Sequence, residues 1–133
     1  MNRFAPLLLL AALAGGCGSL PAARPARHVQ VDQALRSAAE QVRRCYRAPR
    51  VSSAGRLIVT SLRVRLTPDG QLAGLPVMMR QSGVTPANQP YAGTMAQAAI
   101  AAVMRCAPLR LPPDLYARGW SVFDLTFSPL GVA

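Results

Sequence analysis

The alternation of apolar and polar positions is clearest over residues 57 to 67. Ile58, Thr60, Leu62, Val64 and Leu66 fall on one face of an extended chain, and Leu57, Val59, Ser61, Arg63 and Arg65 on the other. This period of two predicts a half-buried strand with a basic outer face. Pro68-Asp69-Gly70 follows as a turn. A second strand is expected over 71 to 80, with Leu75, Val77 and Met79 on one face. Pro76 cannot donate to a ladder, so that strand belongs at a sheet edge or carries a bulge. A third strand is expected from Trp120 to Phe127, where Phe123, Leu125 and Phe127 share a face against Val122, Asp124 and Thr126, and Pro129 ends it.

Two stretches have helical periodicity instead. Leu35, Ala38, Ala39, Val42 and Tyr46 recur at helical spacing, with Arg36, Glu40, Arg43, Arg44 and Arg47 opposite. Asp32 reads as an N-cap with Val31 before it, and Pro49 as the stop, which predicts a helix over 33 to 47. The Ala-rich stretch from Tyr91 to Arg105, with Met95, Ala99, Ile100, Val103 and Met104 at helical spacing, predicts a second helix. Pro108, Pro112 and Pro113 then hold an extended segment. The order helix, strand, strand, helix, strand points to an α+β fold. Its three-stranded antiparallel sheet has order 2-1-3, with both helices on the face of Ile58, Leu62, Phe123 and Phe127. In that arrangement strand two is blunted by Pro76, while strand three, residues Trp120, Ser121, Val122, Phe123, Asp124, Leu125, Thr126 and Phe127, is an edge open to a partner strand.

The first residues add a compartment. Arg3 precedes an apolar run from Phe4 to Ala14, then Gly15, Gly16 and Cys17. This is the layout of an export signal, and the run is shorter than the ~18–20 residues of a spanning helix. Leu13-Ala14-Gly15-Gly16-Cys17 resembles a lipobox, in which Cys17 becomes the lipid-bearing first residue; cleavage and release without lipid is the alternative. The expected organisation is a signal over 1–16, a lipidated flexible tether over 17–30, a folded domain over 31–129 and a tail over 130–133. Gly18 in place of Asp favours the outer membrane over the inner. Cys45 and Cys106 remain as an even pair, which in an exported chain suggests a disulfide.

Of 133 residues, 15 are basic and 5 acidic, a formal net charge of +10, and every basic residue is Arg. An apolar fraction of 51% argues against a disordered polyelectrolyte. Arg43, Arg44, Arg47 and Arg50 near one helix end, with Arg63 and Arg65 on the sheet, suggest a basic patch for anionic lipid, lipopolysaccharide or peptidoglycan. Nucleic acid fits poorly with export and with so little aromatic interleaving. No nucleophile, base and orienting acid stand in a recognisable arrangement. Ser52-Ser53 and Ser82-Gly83 have no nearby His, and the single His28 lies in the tether. The expectation is a protein that is not an enzyme and has no metal site and no cofactor.

One resemblance covers most of the chain, from about Val31 to Pro129. Its residues are Cys45-Tyr46-Arg47-Ala48-Pro49, the strand before Pro68-Asp69-Gly70, and Ala98 through Pro108 with its Cys106-Ala107-Pro108 ending. Leu111-Pro112, Tyr116, Trp120 and Phe127-Ser128-Pro129 complete the series. It resembles the C-terminal domain of the TolA/TonB family. The resemblance implies a periplasmic protein-interaction module of envelope integrity or import. Such a module binds by strand addition to a sheet edge, and its partners are Tol–Pal components or an outer-membrane receptor. The spanning helix and long stalk of that family have no counterpart here, so the expectation is a binding head alone, anchored by lipid.

Overall fold

The computed structural model describes residues 23–112 and 121–133. Helix α1 (Ala23–Cys45) leads through a short 3-10 turn to strand β1 (Val59–Arg65) and strand β2 (Val77–Ser82). Helix α2 (Ala92–Cys106), strand β3 (Val122–Ser128) and strand β4 (Gly131–Val132) follow. The sheet is four-stranded, antiparallel throughout, with order β2-β1-β3-β4. The expected α+β class and the inner order 2-1-3 are present, but the three-stranded sheet is incorrect. After Pro129 the chain reverses and lays Gly131 and Val132 beside Ser128 and Phe127. Residues 130–133 are therefore not a tail, and Val132 is buried in the core.

Strand β1 is the axis of the fold. Ile58, Thr60, Leu62, Val64 and Leu66 are all buried, as their alternation requires. On the same face Leu62 lies opposite Leu125, Val64 opposite Phe123 and Thr60 opposite Phe127. Ala38, Ala39 and Val42 of α1 and Ala99, Ala102 and Val103 of α2 close over these side chains in one core. The alanines keep the helix surfaces low, so both helices pack on a single face of the sheet. Met104, expected among the apolar positions of α2, is half exposed instead, since Ala102 takes the inward position. Buried Thr60 is satisfied by Gln81, whose Nε2 donates to its Oγ1 at 3.0 Å and to the Ala92 carbonyl at 2.8 Å.

Helix α1 starts ten residues before the expected 33. Eight residues of the expected tether are thus helical, and Asp32 is an exposed residue within the helix rather than its cap. Pro25 does not prevent this, because it falls in the first turn, where its missing N–H has no partner to lose. The C-terminal ends of α1 and α2 meet. Cys45 and Cys106 lie with Cα atoms 5.7 Å apart and their sulfurs at disulfide distance. Arg105 Nη2 donates to the Cys45 carbonyl at 3.0 Å, and Arg43 and Arg44 sit in the last turn of α1. These cations stand where two helix dipoles put their negative ends. Beyond α2, Gln41 holds the extended segment: its Nε2 donates to the Arg110 carbonyl and its Oε1 accepts from the Arg110 N–H, both at 2.8 Å.

Two turns need glycine. Gly70 closes the Pro68-Asp69 turn at φ 82°, with its N–H on the Thr67 carbonyl at 2.9 Å. Gly83 at φ 74° ends β2, and a methyl group there would run into the Leu57 carbonyl.

The disulfide closes a loop with a sequence separation of 61. The double variant Cys45→Ala, Cys106→Ala is expected to fold less stably by about 4 kcal/mol on the chain-entropy model. Denaturant titration with and without reductant checks this: reductant should lower the wild-type midpoint and leave that of the double variant unchanged.

Candidate functional site

Strand β2 is one edge of the sheet, paired only with β1. It begins at Val77, six residues later than expected, and a single bridge between Leu66 and Leu72 marks the start of the hairpin. Pro76 lies just before the strand, where its lack of a donor costs no ladder bond. Ser61 pairs with Arg80 while Leu62 pairs with Met78, so Met79 is an extra residue and forms a bulge. Both alternatives that Pro76 suggested, an edge position and a bulge, are present in this strand.

The side chains on this edge are unusual for their position. Leu75 is 71% exposed, Val77 54%, and Met78 and Met79 47% each. Met78 lies on the helix side of the sheet, opposite Leu62, and Val77 on the outer side, opposite Arg63. Apolar groups therefore flank the strand on both faces, beside backbone groups that every second residue turns away from β1. Met79 does not share a regular face with Leu75 and Val77, because the bulge breaks the period of two.

The expected partner edge, residues 120 to 127, is differently placed. Trp120 lies outside the described residues. Ser121 is half-buried and its carbonyl accepts from the Leu66 N–H at 2.8 Å. Phe123, Leu125 and Phe127 are core residues. Thr126, exposed at the rim, exchanges both backbone hydrogen bonds with Ala133, at 2.7 and 2.8 Å. Those bonds and the pairing of Phe127 and Ser128 with β4 occupy the end of the β3 edge that a three-stranded sheet would leave free. Alternation along β3 leaves the outward backbone groups of Val122 and Asp124 at the rim.

Asp124 is also engaged through its side chain. Its carboxylate accepts two hydrogen bonds from Arg63, Nε to Oδ1 at 2.8 Å and Nη2 to Oδ2 at 3.0 Å. The hydrogen bond from Arg63 holds the Asp124 carboxyl below its ordinary range, and the same contact raises the Arg63 pKa. The pair joins β1 to β3 on the helix-free face, where the two residues are opposite one another. Asp69 is likewise held low, chiefly by the hydroxyl of Thr67 within its turn.

The six arginines expected as one patch are divided by the sheet, and Arg50 lies in the loop after α1. Arg63 and Arg65 stand on the helix-free face, and Arg43, Arg44 and Arg47 at the end of α1 on the other layer. Arg43 pairs with Glu40 at 3.7 Å and lies over Gly131 of β4. Cys17 and the signal lie outside the described residues. No helix among the described residues is long and apolar enough to cross a membrane, and none of them form a cluster of three metal-ligating side chains. The serines raised as candidate nucleophiles have local surroundings: Ser52 Oγ accepts from the Gly55 N–H at 3.3 Å, and Ser82 is exposed at the end of β2.

A scan of the chain against protein-family models finds no match, and a search of the curated proteins finds no relative.

Two outcomes follow from the β3 rim. Asp124→Asn should change the melting temperature little at neutral pH, since the pair is exposed to solvent. A carboxyl with a lowered folded-state pKa stabilises above its unfolded pKa and loses that stabilisation as pH falls through its folded value. The variant's acid limb should therefore be shallower than the wild type's, measured by melting temperature against pH. Val132→Asp should release β4, and hydrogen exchange at the Thr126 amide should accelerate by at least about tenfold while the Leu62 amide stays protected.

Proposed function

We propose that this chain is a protein-binding module of the bacterial cell envelope, similar in role to the C-terminal domains of the TolA/TonB family. In this reading it is exported, held near a membrane by lipid on Cys17, and takes a segment of a partner protein along β2. The observation that carries it is the exposure of Val77, Met78 and Met79 on an edge strand, with exposed Leu75 just before it. Soluble proteins ordinarily guard sheet edges, because free backbone groups beside apolar side chains recruit other chains. Here the guards are partial. The Met79 bulge and Arg80 limit open-ended stacking of sheets, yet leave room for a matched strand. Main-chain bonds to β2 supply affinity, and the side chains flanking it supply selection. Two adjacent methionines suit such a surface, since their unbranched side chains adapt to the partner's shape. The joined Cys45 and Cys106 fit an oxidising compartment.

The test is site-specific photo-crosslinking in living cells. A probe at Val77 should trap a discrete envelope protein, and a probe at Gln97, exposed on α2, should not. In the same cells Met78→Glu with Met79→Glu should lower the yield from Val77 by about tenfold, as expected when charge enters an apolar contact. Equal trapping at Val77 and Gln97, or an undiminished yield from the double variant with its fold intact by circular dichroism, would count against the reading. Adducts of lipid or cell wall alone would favour the charge-driven surface binder.

A further inference from the structure

A cleft of about 260 Å³ is lined by Ala48, Pro49, Arg50, Val51, Arg56 and Pro129, none of them from β2. It forms where the loop after α1, the 3-10 turn at Gly55–Leu57 and the turn after β3 come together. Its only charged lining residues are two arginines, and no carboxylate faces them. Both guanidinium groups are without a hydrogen bond or ion pair among the described residues, whereas Arg63 and Arg43 have carboxylate partners. The remaining walls are apolar, and two of the four are prolines that stiffen the backbone.

We propose that this cleft binds a phosphate monoester through Arg50 and Arg56. The guanidinium fork matches the oxygens of a phosphate and can engage two of them at once. Arg50 and Arg56 are themselves exposed, so a bound dianion would meet two unneutralised surface cations beside the apolar walls of Ala48, Pro49, Val51 and Pro129. The same walls suit the carbon skeleton that carries the phosphate. The ligand chemistry is thus a phosphate on a small organic body, whether soluble or the headgroup of a lipid. The site is independent of β2, so its fate and that of the strand-binding reading are decided separately.

The folded protein is titrated with sn-glycerol 3-phosphate while the side-chain N–H signals of Arg50 and Arg56 are followed by nuclear magnetic resonance. In parallel it is sedimented with phosphatidylcholine vesicles that contain or lack phosphatidic acid. Three variants are compared with wild type: Arg50→Gln with Arg56→Gln, Arg50→Lys with Arg56→Lys, and Arg36→Gln, an exposed arginine remote in sequence from the cleft. The lysine pair keeps the net charge and removes the fork. Saturable binding in either arm is expected to weaken by about tenfold or more in both double variants and by no more than about twofold in Arg36→Gln. A loss confined to the soluble phosphate assigns a free ligand; a loss confined to the vesicles assigns a headgroup. Equal losses at Arg36 and at the cleft, retention of affinity by the lysine pair, or no saturable binding in either arm overturns the proposal.

Discussion

The two-sided pairing of β1 is the constraint on which the rest of the structure depends. Seven residues, Val59–Arg65, carry hydrogen bonds to β2 on one side and to β3 on the other. The same residues supply the floor of the core through Leu62 and Val64. A one-residue slip of β1 would turn Leu62 and Val64 to water and bring Arg63 and Arg65 under the helices, which the pairing Leu62–Leu125 and Arg63–Asp124 forbids together. The helices cover what this register defines. Their alanines let α1 and α2 sit close over a narrow sheet, and Phe127, edge-on to Tyr46 with ring centres 5.4 Å apart, fills the end of the layer.

The elements that bury a long periodic face were legible in the residues alone. Ile58 through Leu66 alternate without interruption, and all five inward positions are buried. Phe123, Leu125 and Phe127 do the same in β3. The cysteine pair was legible because its context, a first segment that reads as an export signal and an even count once Cys17 is set aside, says more than its spacing. Three features were not. Gly131–Val132 is too short to show any period, and only its burial against β3 makes it a strand. The start of α1 was hidden by Asp32, a good capping residue that here is merely exposed within a longer helix, and by Pro25, which breaks a helix anywhere but in its first turn. The bulge at Met79 removes the alternation by which β2 would have been placed, and with it the sign that both of its faces are apolar.

The same limits apply to the candidate site. An open edge was expected on the strand without proline, yet the chain's own Gly131–Ala133 segment lies along its end. Pro76, taken as a guard, stands outside the strand it was to blunt. Arg56 had no distinguishing neighbour in sequence, and only the fold sets it beside Arg50 and Pro129. Proximity of that kind comes from three separated segments and leaves no local trace.

The bond between Cys45 and Cys106 also determines how the domain would carry tension. Everything between the two cysteines, which includes β1, β2 and α2, lies inside a covalent ring, while α1, β3 and β4 lie outside it. A pull on the chain from both sides of the ring passes from sulfur to sulfur and bypasses the hairpin. With the bond intact, about 200 Å of contour cannot be paid out, given ~3.3–3.6 Å per extended residue. The load falls on the pairing of β4 with β3 and then on the seam between β1 and β3, so the strand that carries the apolar edge would keep its shape under a force that strips α1 or β3 away.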